Sequence, residues 1–382
     1  MEIYRQALHG TSYENNYGGN PENIPDLTYQ ALKEFHKKHY SVSNAKFCFY
    51  GDGDTKKHLD FLANELKKFD SHKAPISFGD NNNNQKRKVE VSYPTPQKED
   101  NSAQYSYVET RTLPSDITKV EKMWLIIRNK LLLGSGSSKL KNALIDAKLC
   151  ESIIDYGFTF SFRQPVFSVG VQNIKREDIV KIQQIISSEI ENHINNGFNK
   201  KAVHAALKKY EFNLREVGNA NPRGLALFRG MSSEWIFNDN PLDAISFKKP
   251  LEELKKKLKK DDSFLRELLK KYIYENNNGV EIIYIPDEKY DQKAIAKIED
   301  KLKSLQISEE KITENKEKLE IYQSTKNEEA IDALPRLEIQ DIDRKNKEIE
   351  KVVTQIDEAK SMIHTEPTNG ILYVDIAFDI EH

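Results

Sequence analysis

Between residues 101 and 248 the spacing of apolar residues passes from helical to alternating and back to helical. No other feature restricts the fold as much. Residues 121–133 form a strongly apolar helical run, closed by Gly134-Ser135-Gly136-Ser137-Ser138, and residues 140–149 form a second helix. Phe158-Thr159-Phe160-Ser161-Phe162 alternates at period two, as do residues 166–171, with Gln164-Pro165 between them. That pattern predicts a hairpin with one buried face. Two long helices follow, over about 176–195 and 199–216, separated by Asn195-Asn196-Gly197, a good helix stop. Helices surrounding a hairpin predict an α+β fold, with an antiparallel-rich sheet covered by helices.

The flanks are less regular. Residues 1–72 read as one α/β unit: a loop at Tyr17-Gly18-Gly19-Asn20-Pro21, then a helix over about 28–39 with Leu32, Phe35 and Tyr40 at helical spacing. A short strand over 45–50 and a second amphipathic helix over 55–69 complete it. Residues 73–100 carry Pro75, Asn81-Asn82-Asn83-Asn84, Pro94 and Pro96 among many charges. They read as a linker, with an edge strand possible only near Val89-Glu90-Val91.

Residues 101–290 read as the clearest domain, ending in a helix over 251–274 and a strand over 280–287. Lys37-Lys38-His39-Tyr40 leading to 45–50 and Gly51-Asp52 is echoed by Lys270-Lys271-Tyr272 leading to 280–285 and Pro286-Asp287. A chain of two related α/β domains produces such an echo. Residues 291–330 are polar and helical and predict a helical hairpin, with Ser308-Glu309-Glu310 as a cap. Residues 331–382 read as an extended connector followed by the first strand of a third domain, over 371–378.

The chemistry-bearing residues are sparse. His36 and His39 are one helical turn apart, but Lys37 and Lys38 lie between them and Glu34 precedes them. Hydrolytic zinc sites need two such histidines plus a carboxylate positioned to activate water. The lysines repel a cation and no base intervenes, so one histidine packs and the other is solvated. His9, His58, His72, His193, His204, His364 and His382 have no ligand spacing.

The run Gly134-Ser135-Gly136-Ser137-Ser138-Lys139 follows a helix and lacks Gly-Lys, which makes it a helix–helix turn and not a phosphate loop. It is also too short and wrongly placed for a nucleophile elbow. Lys255-Lys256-Lys257 and Lys259-Lys260 alternate with leucines and read as a solvated helix face. A net charge of −2 excludes a general nucleic-acid footprint. Cys48 and Cys150 read as free thiols, Cys48 buried within Phe47-Cys48-Phe49-Tyr50.

Taken in order, several segments resemble one family. They are Tyr17-Gly18-Gly19-Asn20-Pro21, Ile24-Pro25, Leu27-Thr28-Tyr29, Phe35-His36, Ser43-Asn44-Ala45 and Phe49-Tyr50-Gly51-Asp52. Further on come Leu131-Leu132-Leu133 with Gly134-Ser135-Gly136-Ser137-Ser138, then Ala143-Leu144-Ile145, Gly197-Phe198, Glu211-Phe212, Pro222-Arg223-Gly224-Leu225 and Ala333-Leu334-Pro335-Arg336-Leu337. This ordered set is similar to the pitrilysin-type zinc metallopeptidases, in their presequence-protease and falcilysin branch. It implies pitrilysin-type domains (the metalloenzyme LuxS/peptidase-like fold), with residues 1–72 as the back half of a first domain and 101–290 as a second, non-catalytic one.

In that family a His-x-x-Glu-His helix and a later Glu bind zinc and activate water, and a fourth domain supplies an Arg and a Tyr that hold substrate. No residue of this chain matches any of these. The resemblance therefore implies zinc in the intact family enzyme, no catalytic or metal-ligating residue and no cofactor in this chain, and no activity for the chain alone. The implied partners are the remainder of a protease, or a complementary subunit, and peptide substrates. The intact enzyme is expected to degrade short unfolded peptides in a closed chamber. The other readings are a stand-alone inactive homologue acting as a partner subunit, and a structural scaffold.

No stretch reaches the roughly 18 apolar residues of a membrane span. Met1-Glu2-Ile3-Tyr4-Arg5 lacks the apolar core of a signal peptide. The expectation is a soluble protein of a reducing compartment or organelle matrix, its address outside this chain.

Overall fold

The computed structural model describes residues 2–70, 72, 78–96, 103–134, 136, 138–216, 223–237, 240–260, 263–305, 308–326, 328–342, 344, 349–378 and 380. In chain order, α1 is Glu2–Ala7, α2 Tyr29–His39 and α3 Thr55–Leu66. Strands β1 (Lys86–Pro94) and β2 (Tyr105–Thr112) precede α4 (Lys119–Leu132) and α5 (Lys139–Asp146). The hairpin β3 (Ser152–Thr159) and β4 (Val166–Ile174) leads into α6 (Ile179–Asn196) and α7 (Lys200–Arg215).

Then come α8 (Arg223–Trp235), α9 (Pro241–Ile245), α10 (Lys248–Lys260) and α11 (Ser263–Leu269). A π-helical turn, Lys270–Tyr274, extends α11 before β5 (Gly279–Asp287). The rest comprises α12 (Tyr290–Ser304), α13 (Glu309–Ser324), α14 (Glu328–Asp332) and the hairpin β6 (Val352–Ile356) with β7 (Ala359–Ile363). Residues 1–297 form one compact unit and 298–382 another. The architecture is α+β.

The first unit is built on a five-stranded sheet in the order β1-β5-β2-β4-β3, with only β1 and β5 parallel. Side chains on a strand alternate between faces. Tyr107, Phe167, Val169, Val171 and Ile283 form one face and are buried against Trp124 and Ile127 of α4 and Ile182 and Ile186 of α6. Val108, Val166, Val280 and Ile282 form the other face and are buried against Ile3, Ala7 and Leu8.

The hairpin expected to have one buried face is thus covered on both. Ile3 and Ala7 lie four residues apart on α1 and Leu8 follows directly, so a single short helix makes the second apolar layer. Gly197, with φ of 71°, ends α6 at the position the Asn-Asn-Gly signal marks.

Residues 78–94, within the stretch read as linker, are held mainly by polar contacts. The Asn81 side chain donates to the Ala7 carbonyl at 2.8 Å, its backbone amide donates to Gln164 Oε1, and Asn278 Nδ2 donates to its carbonyl. Thr112 Oγ1 also donates to the Ala7 carbonyl, at 2.8 Å. Composition does not reveal these bonds because they replace apolar burial with directed hydrogen bonds. β1 then pairs along its length with β5.

Two expected strands are not formed. Residues 45–50 and 371–378 have no strand structure, because no neighbouring strand among the described residues accepts their backbone hydrogen bonds. Cys48, expected to be buried in the first of these, is exposed for the same reason. Within the stretch read as extended connector, β6 and β7 instead pair antiparallel across a tight turn, with Asp357 at φ of 52°. Residues 291–330, where a helical hairpin is expected, hold the two helices α12 and α13.

α4 is fixed at its start by a capping box. The Thr118 hydroxyl accepts from the Glu121 amide, while the Thr118 amide donates to Glu121 Oε2 at 2.9 Å. Tyr272 Oη donates to Glu121 Oε1 at 3.1 Å, tying the π-helical turn to the cap. Burial alone would raise the Glu121 carboxyl, but the bonds from the Thr118 hydroxyl, the Thr118 amide and Tyr272 outweigh it and hold the group below its ordinary value. A depressed folded-state pKa stabilises above the unfolded value of 4.5, and that stabilisation is lost as pH falls through the lower folded value. Glu121→Ala should therefore cost about 1 kcal/mol at neutral pH. The gap from wild type, followed by urea unfolding, should close as the pH is taken below the carboxylate range. In the same assay Leu8→Ala should destabilise by about 2–5 kcal/mol. Leu32→Ala, at a residue 63% exposed, should shift stability by no more than about 0.5 kcal/mol.

Candidate functional site

The paired histidines sit in the last turn of α2. The His36 ring stacks on Tyr40 with centroids 4.5 Å apart, and the His39 ring tilts against Phe35 at 4.5 Å. Each imidazole is engaged by an aromatic ring, and Lys37 and Lys38 between them are exposed. Among the described residues no three His, Cys, Asp or Glu side chains converge as a metal site would require. The residues present do not fit a zinc ion.

The remaining histidines are dispersed. His58 stacks on Phe49, His9 pairs with Glu14 at 2.7 Å, His72 lies against the Lys38 carbonyl and His364 against that of Glu350. His204 is exposed on α7, and His382 lies outside the described residues. His193 is buried near the end of α6, its Nδ1 2.7 Å from the Glu189 carbonyl and its ring against Phe198. Burial pushes its pKa down, the Glu189 carbonyl works the other way, and the Arg128 and Lys139 charges push it down further, so it is a neutral packing group. Arg128 is fully buried, with its guanidinium 5.8 Å from the Phe158 ring centroid, and burial pushes it down to about 9. Both groups pack inside the helical layer.

The Gly134–Ser138 run does join two helices, α4 and α5, although Ser135 and Ser137 lie outside the described residues. The lysines of α10 are mostly exposed, while Leu251 and Leu254 on the same helix are buried.

The conspicuous feature is apolar surface without cover. None of the described residues from 12 to 80 is buried. Phe35, Phe61 and Phe69 are 58%, 65% and 62% exposed, although α2 and α3 have the amphipathic pattern of core-facing helices. Tyr40, Val42, Phe47, Leu66 and Phe69 line a cleft of about 440 Å³ between these elements. Within this segment Lys46 lies over Trp235 of α8 at 5.2 Å and donates to its carbonyl.

In the second unit none of the described residues is buried, and Leu372, Val374, Ile376 and Phe378 are all largely exposed. Exposed apolar surface on this scale is characteristic of an interaction site. Sequence periodicity identifies these faces as apolar but is silent on whether anything covers them. For α1 the sequence does carry a signal, the helical spacing of Ile3, Ala7 and Leu8, but the run is too short to stand out.

A five-stranded sheet bearing a layer of long helices on one face, with its last strand inserted between the first two, defines a class. The same fold is found in a protease from Helicobacter pylori, with a TM-score of 0.58 at 16% identity over 75% of this chain and 66% of that one. It is found again in the peptidase M16 inactive domain from Pseudomonas fluorescens, with a TM-score of 0.55 at 15% identity over 75% and 64%. Residues 26–210 match the family model of the peptidase M16 inactive domain. Residues 285–382 match the model of the region associated with subfamily C of the same peptidases.

The chain is 30% identical over 398 residues to presequence protease 1, chloroplastic/mitochondrial, of Arabidopsis thaliana, covering 99% of this chain and 36% of that protein. It is 29% identical over 379 residues to protein HypA of Clostridium perfringens, covering 97% and 38%. The chain belongs to the M16 peptidase family, as an inactive-type portion related to the presequence proteases. It spans a little over a third of the length of the curated relatives it matches. No helix among the described residues is long and apolar enough to cross a membrane.

If His36 and His39 have no metal role, His36→Ala and His39→Ala should leave the zinc content of the dialysed chain, read by elemental analysis, unchanged and far below one per molecule. A stoichiometric zinc that either substitution removes would contradict the geometry described above.

Proposed function

We propose that this chain is the non-catalytic portion of a zinc metalloendopeptidase that degrades short unfolded peptides in a closed chamber. The observation that carries this reading is the uncovered apolar face of α2, α3 and residues 45–50, in a chain whose sheet domain has a complete core of its own. Such a face is explained by a missing layer, which the rest of a protease or a complementary subunit would supply. The relatives' name, presequence protease, suggests targeting-type peptides as substrates. The outer edge of β1 pairs with no strand among the described residues and can receive an extended chain by backbone hydrogen bonds whatever its sequence.

The self-sufficient core of the sheet domain also favours a second reading, a stand-alone inactive homologue that serves as a partner subunit or scaffold. One experiment separates the two. The purified chain should cleave no fluorogenic peptide above buffer, with or without a chelator. Co-expression with the sequence encoded immediately upstream in its gene should give chelator-sensitive cleavage of short peptides, and Phe35→Asp should abolish it by blocking assembly. An upstream sequence with no in-frame His-x-x-Glu-His, and no gain of activity, favours the partner subunit. Chelator-sensitive turnover by the chain alone overturns both readings.

A further inference from the structure

A second cleft lies away from these surfaces, on the helical side of the sheet domain. α7 and α10 each pack on α4, and between α7 and the α10–α11 segment they leave an open cleft of about 660 Å³. Its floor is formed by Leu207 and Leu265, both buried, and its walls by Phe198, Val203 and Leu258. This volume and this apolar lining lie in the range of small-ligand sites.

Among the described lining residues the charge is one-sided. Lys200 and Lys208 of α7 and Lys259 and Lys260 of α10 border it, are exposed, and make no ion pair among the described residues. Among the described lining residues Glu211 is the single acid and is already engaged, by Lys255 Nζ at 2.6 Å and by Arg215 at 2.9 Å. The hydrogen bond from Lys255, with the further help of Arg215, overcomes the effect of burial and holds its carboxyl below the usual range, so it stays an anion committed to those two cations. Four lysines with no ion pair among the described residues therefore border an apolar trough. Their mutual repulsion is relieved by an anionic group placed at the mouth.

From these observations we infer that the cleft between α7 and α10–α11 binds a long-chain carboxylate, its acyl chain against Leu207 and Leu265 and its head among Lys200, Lys208, Lys259 and Lys260. A small ligand fits better than an acidic helix, because the cleft is bounded and of acyl-chain size.

The test is calorimetric titration of the purified chain with dodecanoate, octanoate and dodecyltrimethylammonium, each below its micellar concentration. The expected result is saturable one-site binding of dodecanoate, about a hundredfold weaker binding of octanoate, and none of the cationic amphiphile. Lys208→Glu with Lys259→Glu, at exposed positions, should weaken dodecanoate about tenfold while the thermal unfolding midpoint is retained. Val203→Trp, which fills the trough, should abolish binding. The proposal is overturned if dodecanoate does not bind saturably, if dodecyltrimethylammonium binds equally well, or if the double charge reversal leaves the affinity unchanged. It is likewise overturned if an acidic amphipathic peptide occupies the cleft and dodecanoate cannot compete, an outcome that assigns the cleft to a protein partner.

Discussion

Three strands, β2, β4 and β5, are buried on both faces, and the rest of the structure follows from the need to cover them. One face gets α4 and α6, long helices with continuous apolar stripes. The other gets α1 with Leu8, flanked by Tyr13 and Phe162, a layer one short helix wide. That second layer joins residues more than 270 positions apart, since Ile3 and Leu8 meet Val280 and Ile282. Hydrogen bonds to the Ala7 carbonyl from Asn81 and Thr112 fix where the helix ends. The opening residues of the chain, through Tyr13, are thus part of the sheet domain's core, while α2 and α3 are not.

Residues 12–80 and 298–382 show the opposite balance. α2 and α3 have the sequence pattern for burial but no layer to bury against, and the apolar side chains of both stretches meet water. Stability in a helix of this length comes from tertiary packing more than from propensity, and here packing is what is missing. The reading of the chain as one portion of a larger peptidase rests on this contrast between a finished core and unfinished flanks.

Where the packing partner is near in sequence, the fold is legible from the residues. The helices α4 to α7, β4 and the Gly197 stop all depend on period and local turn chemistry, and each falls within a few residues of its expected place, while β3 runs six residues earlier than the alternation at 158–162 indicates. For β1 the residues show only a short edge near Val89, and its full length emerges from parallel pairing with β5, nearly 200 residues away. The covering role of α1 is hidden because six residues are too few for a periodicity to stand out. Phe47 and Phe49 alternate within residues 45–50 as in a strand, yet alternation specifies only a face and supplies no hydrogen-bonding neighbour. As to the site, the argument against zinc at His36 and His39 is available from the intervening lysines. The trough between α7 and α10 is not, because the lysine run on α10 looks the same whether it borders bulk water or a cleft.

Native-state hydrogen exchange across the whole chain measures this division directly. The account predicts that amides in β2, β4, β5, α4 and α6 exchange only through global unfolding, and that those of α1 share their protection. Amides in α2, α3 and residues 298–382 should exchange through local opening at a small fraction of that free energy. Protection of α2 and α3 equal to that of the central strands, in the isolated chain, would contradict the claim that this face awaits a covering layer.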